Sequence, residues 1–522
     1  MKMKKRLYAV GQLLFFITVF ATSLYGQTII ITKEYVYAKS DFDTMETCRI
    51  IGFEQAKRLI FDELETNLIN DNRLKKLHLS KDRLIAYIAG IVIPEISDEN
   101  RDDGKYSFKI RVETSPDEIV NFTKLNLKDM EKTKELEETK KNAEEALKSI
   151  KKLQKEIPPD DKSRERRSQY LAAVEQLNLE QWIEKGYALK NKSEYETAIE
   201  AFDKAIAFKP KLNATKKETN SGTVVVPAAH LRSQPSRNSS PAGYVTKGTL
   251  LLITGESKDK GGGLWYKIKL PVSKKEAWIA SGAVNPAKHV TQIDNNDIHA
   301  ITRAYIGRGS IYLKLGKPSE AVSDYNKAIQ LSPDSAVAYN YRGMTYIELG
   351  NYKKAVEDFN TAIELKPNRI AGYINRGFAY TELEDFQKAK KDYDYAIYME
   401  PRNEFAYLNR GRLYAKAGDS NEAIKDYDRV ILLNPRISIA YAGRGANYAA
   451  LKDYENASKD LNTAIELNPK NSDAMYSLGT VYLNMGEIDK AIEHYKSAAR
   501  LGDKDAQGYL KKKGILWKTK NR

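Results

Sequence analysis

Apolar and polar positions recur with a period of 34 residues along the C-terminal part of the chain. In each period tyrosine lies 28 and 21 residues, glycine 24 and alanine 12 residues before a closing proline, at Pro333, Pro367, Pro401, Pro435 and Pro469. The tyrosines and the glycine are 3, 4 and 7 residues apart, which places them on one helix face. Each period therefore predicts two helices joined by a glycine-centred turn. The proline ends the second helix, because the residue before a proline disfavours helical backbone.

This motif of tyrosine, glycine, alanine and proline resembles the tetratricopeptide repeat, which implies a solenoid of stacked helical hairpins. Six tandem units are predicted over residues 302–501, followed by a capping helix and a basic tail at 502–522. The sixth unit has Asp503 where the other units have proline. Such a departure suits a terminal repeat, which has no following neighbour to cover it.

A further copy of the motif stands apart at residues 179–212, with Trp182, Gly186, Phe202 and Pro210 at the same spacing. A single repeat cannot bury both of its faces. It must therefore pack either on the helix predicted just before it or on the tandem array across the intervening segment. The sequence leaves both arrangements open.

Two charged residues vary together among the repeats. Five units carry arginine directly before the glycine, and the same five carry aspartate nine residues before the proline. The pairs are Arg308 with Asp324, Arg342 with Asp358, Arg376 with Asp392, Arg410 with Asp426, and Arg444 with Asp460. The sixth unit has Leu478 and His494 at these places. The pattern favours an ion pair between the two helices of a unit, although recent duplication of one unit would copy both residues without any contact.

The N-terminal residues predict two parts of a different kind. Residues 1–26 have the order of an export signal, with basic residues first, then an apolar stretch, then a short polar end. An uncleaved membrane anchor is the alternative, and no other segment is apolar enough to span a bilayer. Residues 27–122 predict a small α+β domain, with a helix at 53–68 and paired strands at 88–96 and 106–113.

Residues 123–178 predict a charged helix followed by a linker. Leu136, Ala143, Ile150 and Ile157 recur every seven residues, which is the spacing of a short coiled-coil seam. Such a seam would make the helix a spacer or a means of forming a homodimer. The alternative is a single exposed helix that is held by Glu and Lys pairs three and four residues apart.

The segment at 222–286 is rich in glycine, serine and proline and shows no helical spacing. Four of its motifs together resemble a bacterial SH3-like domain: Leu231-Arg232-Ser233, Lys247-Gly248-Thr249, Leu264-Trp265-Tyr266 and Ala277-Trp278-Ile279. The resemblance implies a small β-barrel of the kind often used to bind cell-wall polymers or peptides. The two tryptophans would then be either core residues of the barrel or a platform for a ligand.

Composition narrows the chemistry of the 522-residue chain. Its net charge of +15 arises from 85 basic and 70 acidic residues that are interspersed, so nucleic acid is not an expected partner. Cys48 is the single cysteine, which excludes an internal disulfide or a cysteine-based zinc site. The five histidines lack zinc-binding spacing, and no phosphate-binding glycine loop or Gly-x-Ser-x-Gly turn occurs. No catalytic residue, metal or cofactor is predicted.

The first helix of each unit carries a second stripe of side chains beside the tyrosine and glycine stripe. In tetratricopeptide arrays this face lines the concave groove, and by that resemblance we expect it to hold a protein or peptide segment. The expected binding residues are Val337, Asn340, Met344, Ile347, Ile374, Phe378, Phe405, Leu408 and Arg412. The alternative is that much of the stripe packs between neighbouring units.

Together these patterns predict a mainly α-helical protein: a tetratricopeptide solenoid with an inserted small β-barrel and an N-terminal α+β domain. The expected function is that of an exported, non-enzymatic scaffold or adaptor in the periplasm or envelope of a bacterium. A peptidoglycan-associated structural protein, anchored by the SH3-like domain, is the alternative. Once the export signal is removed, no integral membrane span is expected.

Overall fold

A computed structural model separates the chain into two compact units, Met1–Ala338 and Tyr339–Arg522, and each is considered by itself. The structure describes residues 17–18, 28–38, 43–102, 105–127, 130–156, 164–208, 221–224, 228–234, 241–246, 250–258, 264–269, 276–280, 283–287 and 295–517. The predicted export signal lies outside these residues except for Ile17 and Thr18. None of the helices in the described ranges combines the length and apolar character of a bilayer span.

An antiparallel four-stranded sheet belongs to the first unit, in the order β1-β2-β4-β3. Its strands are β1 (Ile17–Thr18), β2 (Ile29–Ala38), β3 (Glu95–Asp102) and β4 (Lys105–Thr114). Along β4 the buried side chains of Tyr106, Phe108, Ile110 and Val112 alternate with more exposed ones. This alternation is typical of a strand with one face toward a core.

Four helices accompany this sheet: α1 (Met45–Leu68), α2 (Asn72–Lys75), α3 (Lys81–Ala89) and α4 (Pro116–Asn126). Helix α1 packs against β2 and β4, and α3 packs against α1. The predicted strand at 88–96 was wrong over its first part, because Ser80 caps a helix that runs through these apolar residues to Ala89. A short apolar run does not by itself distinguish a buried helix from a strand.

The charged helix, α5 (Met130–Glu156), corrects the prediction of a coiled coil or an exposed helix. Its seam residues Leu136, Ala143 and Ile150 are buried in the core of the first unit, where α5 packs on α3 and on α6 (Arg164–Asn191). Ile157 lies outside the described residues. The seam is therefore not available to form a homodimer. A seven-residue spacing identifies the buried stripe of a helix but does not say which helix covers it.

Two repeat hairpins complete the helical part of the first unit. They are α6 with α7 (Tyr195–Ile206) and α8 (Asn295–Lys314) with α9 (Pro318–Leu331). Helix α8 packs on both α6 and α7, and Gly307 of α8 abuts the ring of Phe202 of α7. The repeat that stands apart in the sequence thus stacks directly on the first tandem repeat. The β-rich segment is inserted between the two.

The inserted segment forms a seven-stranded antiparallel sheet in the order β11-β5-β8-β9-β10-β6-β7. The strands are β5 (Ser221–Val224), β6 (Ala228–Arg232), β7 (Pro241–Thr246), β8 (Leu250–Lys258), β9 (Leu264–Lys269), β10 (Glu276–Ala280) and β11 (Val284–Ala287). Over the described residues β11 pairs with β5 and β7 pairs with β6, so the two end strands do not meet. The closed barrel that was predicted is therefore not seen.

The second unit consists of helical hairpins. Its helices are α10 (Ala336–Glu348), which begins at the boundary between the units, α11 (Tyr352–Leu365), α12 (Ile370–Glu382), α13 (Phe386–Met399), α14 (Glu404–Lys416), α15 (Ser420–Leu433), α16 (Ser438–Ala450), α17 (Tyr454–Leu467), α18 (Ser472–Asn484), α19 (Ile488–Arg500) and α20 (Lys504–Lys512). A Cβ added to Gly377 would lie 2.7 Å from the ring of Tyr393. Only glycine therefore lets the first helix approach the ring of the second this closely.

Candidate functional site

Arginine and aspartate join the two helices of each unit, as the sequence predicted. Nε and Nη2 of Arg376 donate to the two carboxylate oxygens of Asp392 at 2.8 and 2.6 Å. The side chain of Asp392 is 7% exposed and that of Arg376 is 19% exposed. The same two-bond geometry occurs in Arg308 with Asp324, Arg342 with Asp358, Arg410 with Asp426, and Arg444 with Asp460.

Partial burial and hydrogen bonding act against each other at these pairs. Burial raises the pKa of the Asp358 carboxyl, while the bonds and charge of Arg342 act to lower it. On the arginine side, the hydrogen bonds to Asp426 raise the pKa of Arg410. Each partner therefore depends on the other to stay charged at low cost.

In the second unit these arginines also reach the preceding hairpin, a contact that the sequence analysis missed. Nη1 of Arg376 donates to Oδ1 of Asn360 at 2.7 Å, and Nη1 of Arg410 donates to Oδ1 of Asp394 at 2.6 Å. The signal was present, because Asp or Asn stands seven residues before the proline in these units. We call this series of contacts the arginine ladder. It ties each first helix to two second helices.

The ladder also spans the insertion in the first unit. Arg308 of α8 bonds to Asp203 of α7, although 105 residues separate them in the sequence. Asp203 stands seven residues before Pro210, the position that Asn360 and Asp394 occupy in their own units. The inserted segment thus interrupts the chain without interrupting the stacking of repeats.

Tyrosine rings on either side hold each ladder arginine in place. Cζ of Arg376 lies 5.5 Å from the ring of Tyr373 and 6.0 Å from that of Tyr380. A guanidinium held between ring faces and carboxylates has little freedom to rotate. Helix α12 lies beside α14, α14 beside α16, and α16 beside α18. The first helices of successive hairpins therefore present a fixed common face.

We define the first-helix face as the side chains 30, 27, 23 and 20 residues before the proline of each unit. All nine predicted binding residues belong to it, and all but Val337 lie in the second unit. Cζ of Arg412 lies 5.3 Å from the ring of Phe378 in the preceding hairpin. Nδ2 of Asn340 faces the sulfur of Met344 at 3.7 Å. The structure therefore brings these predicted residues together in two contacts, one of them between hairpins.

Exposure divides the predicted residues into two groups. Phe405 is 58% exposed and Met344 is 37% exposed. Ile347, Ile374 and Leu408 are partly buried against the clusters that join neighbouring helices. The alternative of packing between units therefore applies to these three. The role of the nine residues in binding stays a prediction.

Two residues of this face were missed. Ile439 occupies the position of Phe405 in the next hairpin and is 57% exposed. Nδ2 of Asn375 donates to Oδ1 of Asn340 at 3.1 Å, joining amide side chains of adjacent hairpins. Ile439 had a signal in the sequence, namely its place in the same row as Phe405. Asn375 had none, because it stands one residue outside the rows.

In the first unit the equivalent positions are closed. Ile306 and Ser310, which correspond to Leu408 and Arg412, are 6% and 7% exposed. Arg303, which corresponds to Phe405, is engaged by Glu180 of α6 and Thr139 of α5. Among the described repeats, the first-helix face is therefore open in the second unit.

Other parts of the described chain offer less chemistry. A cavity of about 170 Å³ lies between α1, α3, α5 and α6, but its charged side chains pair with one another. Nζ of Lys57, for example, lies 2.6 Å from Glu54 and 2.9 Å from Glu184. No group of three metal-ligating side chains occurs among the described residues. Trp265 is buried in the inserted sheet, so it is a core residue, whereas Trp278 is half-buried.

Stacked helical hairpins with a glycine beneath each ring define a protein built of tetratricopeptide repeats. Family comparison agrees: residues 180–212, 302–335, 336–369, 370–403, 405–437 and 472–501 match tetratricopeptide repeat families, and 445–486 match a TPR repeat family. Residues 227–285 match the bacterial SH3 domain family. The chain therefore carries tetratricopeptide repeats, which are protein-binding modules, and a bacterial SH3 domain. None of these matched segments belongs to a catalytic domain.

Solved structures resemble the chain through its repeats. A tetratricopeptide repeat protein from Parabacteroides merdae ATCC 43184 is 18% identical, with a TM-score of 0.41 over 64% of this chain and 98% of that one. YrrB, a TPR protein with an unusual peptide-binding site, is 22% identical, with a TM-score of 0.29 over 36% and 97%. PilW, a type IV pilus biogenesis factor, is 18% identical, with a TM-score of 0.38 over 40% and 98%. No curated protein matches the chain.

Proposed function

We propose that this chain is a non-enzymatic scaffold that binds a segment of a partner protein along the first-helix face of its second unit. The observation that carries the proposal is the pairing of exposed apolar side chains with a fixed backbone. Phe405 and Ile439 remain exposed on helices that the arginine ladder holds in register. Exposed apolar side chains next to polar ones mark interaction surfaces, and a preorganised surface loses little entropy on binding.

Replacing Phe378 and Phe405 together by alanine should weaken partner binding about 100-fold and leave the fold unchanged. Aromatic anchors at the centre of an interface contribute ~2 kcal/mol or more each, which exceeds this factor when both are lost. The fold should persist because Phe405 is exposed and Phe378 is half-buried. Partners captured from envelope extract by the immobilised full-length chain would be identified by mass spectrometry, and their affinity then measured for both proteins.

Tyr398 and Leu432 provide the matched control, since they are 79% and 72% exposed but lie on the second helices α13 and α15. Their joint replacement by alanine removes a similar apolar area from another surface. Capture should then be unchanged. Equal capture by the Phe378→Ala/Phe405→Ala protein and the unsubstituted chain would exclude the first-helix face as the binding surface.

A second candidate function uses the inserted segment. The match of residues 227–285 to the bacterial SH3 domain family favours a ligand of the bacterial cell wall, with peptidoglycan as the expected polymer. The order of residue types at 1–26 supports export to the envelope, where such a ligand would be met. On this alternative the inserted sheet anchors the protein and the repeats act as a spacer.

Deletion of residues 222–286 separates the two functions. We expect the shortened chain to keep its partner and its helical content, because α7 and α8 pack on each other directly and Arg308 bonds to Asp203 across the deleted part. Capture of the identified partner and circular dichroism check this expectation. Loss of the partner, together with loss of co-sedimentation with purified peptidoglycan, would instead favour the anchoring function.

A further inference from the structure

We infer that the first-helix face selects a partner segment in which one Asp or Glu side chain stands between apolar residues, and that Arg412 binds its carboxylate. This inference rests on the proposed function, because it concerns the same surface. It adds the chemistry of the segment: apolar anchors on both sides of a single negative charge.

Arg412 is nearly alone as a charge on this face. In the second unit the positions 30, 27 and 23 residues before the proline hold two charged residues, Arg412 and Asp473, and Asp473 belongs to the last hairpin, two hairpins further along. Lys416, one turn beyond Arg412, pairs with Glu382 at 3.1 Å, so its charge is already compensated. Glu348 lies two hairpins before Arg412, near the end of α10. The central part of the face is therefore apolar with one positive charge.

Arg412 differs from the ladder arginines in having no carboxylate. Arg376, Arg410 and Arg444 each bond to aspartate, whereas none of the ion pairs of the described residues includes Arg412. Its side chain is exposed, and its guanidinium lies against the ring of Phe378. A guanidinium stacked on a ring keeps its N–H edges free and has a limited set of orientations. It is thus prepared to form two N–H···O bonds to an incoming carboxylate.

The carboxylate should come from a side chain within the segment and not from a chain end. Exposed or half-buried apolar side chains lie on both sides of Arg412, with Phe378 in the preceding hairpin and Ile439 in the following one. A segment that covers both must continue past Arg412 in both directions. The amide pair of Asn340 and Asn375 lies on the side of Phe378, where it could bond a passing peptide backbone. These features fit a protein segment.

Selection from a random peptide library tests the inference. The peptides are displayed with their C-termini joined to a phage coat protein, so no chain-end carboxylate is offered. They are selected separately on the full-length chain, on Arg412→Glu and on Arg412→Gln, with Arg436→Glu as an exposed-arginine control outside the face. The unsubstituted chain and Arg436→Glu should enrich Asp or Glu between apolar residues. Arg412→Glu should enrich Lys or Arg instead, and Arg412→Gln should show no charge preference.

A synthetic peptide from the first selection then gives the size of the effect. Its affinity for Arg412→Gln should fall about 10- to 100-fold, which corresponds to one hydrogen-bonded charge pair, and should stay unchanged for Arg436→Glu. Peptides that lack acidic residues, or the same acidic peptides on Arg412→Glu, would overturn the inference while leaving the binding face in place. Failure to select any peptide that depends on Phe378 and Phe405 would overturn the proposed function as well.

Discussion

Replacing Asp392 by alanine should lower the free energy of unfolding of its part of the second unit by about 3 kcal/mol. Asp392 accepts two N–H bonds from Arg376, and its side chain is 7% exposed. Without it, the guanidinium keeps one bond to Asn360 and its contacts with two tyrosine rings. A largely buried charge would thus lose its counter-ion. We place the loss at the low end of the range for buried pairs because Arg376 is 19% exposed and water reaches it.

Hydrogen exchange of the amides of α12 and α13 in the full-length chain would measure this loss, since destabilisation of a repeat array stays close to the altered repeat. Thermal unfolding followed by circular dichroism gives a second reading. Unchanged exchange in Asp392→Ala would mean that the pair behaves as an exposed one, worth ~1 kcal/mol or less. The ladder would then not be what fixes the first helices.

The sixth repeat supplies the matched control for this experiment. There Leu478 takes the place of the arginine and is fully buried, and His494 takes the place of the aspartate. The double substitution Arg376→Leu/Asp392→His copies this arrangement and should recover most of the loss, because no unpaired charge is left behind. A double variant as unstable as Asp392→Ala would show that lost packing, and not the arginine charge, causes the effect.

The repeats could be predicted from sequence because their contacts are local. Each hairpin packs on the next one in the chain, so one period of 34 residues states which side chains meet. Gly377 and Tyr393, for example, stand at fixed positions in that period and touch in the structure. The pairing of Arg376 with Asp392 followed from joint variation among the copies, which serve as an internal alignment.

Contacts between parts that are distant in sequence could not be predicted in the same way. The seven-residue spacing of α5 identified Leu136, Ala143 and Ile150 as a buried stripe, but the helices that cover it come from elsewhere in the first unit. On the first-helix face, the sequence did not separate exposed Phe405 from half-buried Leu408. That difference depends on the spacing of hairpins, which contacts such as Arg410 with Asp394 help to fix.

Replacing Glu180 by alanine should destabilise the first unit by about 3 to 5 kcal/mol. Both carboxylate oxygens of Glu180 accept bonds from Nη2 of Arg303 at 2.6 Å, and the two side chains are 1% and 12% exposed. Burial raises the pKa of Glu180, and the charge of Arg303 acts to lower it. We expect a larger loss than at Asp392, because the remaining arginine would be more deeply buried.

This pair joins three helices that the chain visits at separate times. Glu180 lies on α6, Arg303 on α8 beyond the inserted sheet, and Nη1 of Arg303 also donates to Thr139 of α5 at 3.0 Å. Loss of Glu180 should therefore loosen the attachment of α8 to the N-terminal helices. Hydrogen exchange of α8 in the full-length chain measures this, and α18 and α19 of the second unit provide segments where exchange should not change.

Substitution of both partners by methionine shows whether the unpaired charge is the cause. Glu180→Met/Arg303→Met fills the space with apolar side chains, and we expect it to be more stable than Glu180→Ala, since a buried ion pair can be exchanged for apolar contacts at small cost. Should Glu180→Ala leave the exchange of α8 unchanged, the repeats would be held to the N-terminal part by apolar packing such as Gly307 on Phe202 alone. The closed first-helix face of the first unit would then owe nothing to this pair.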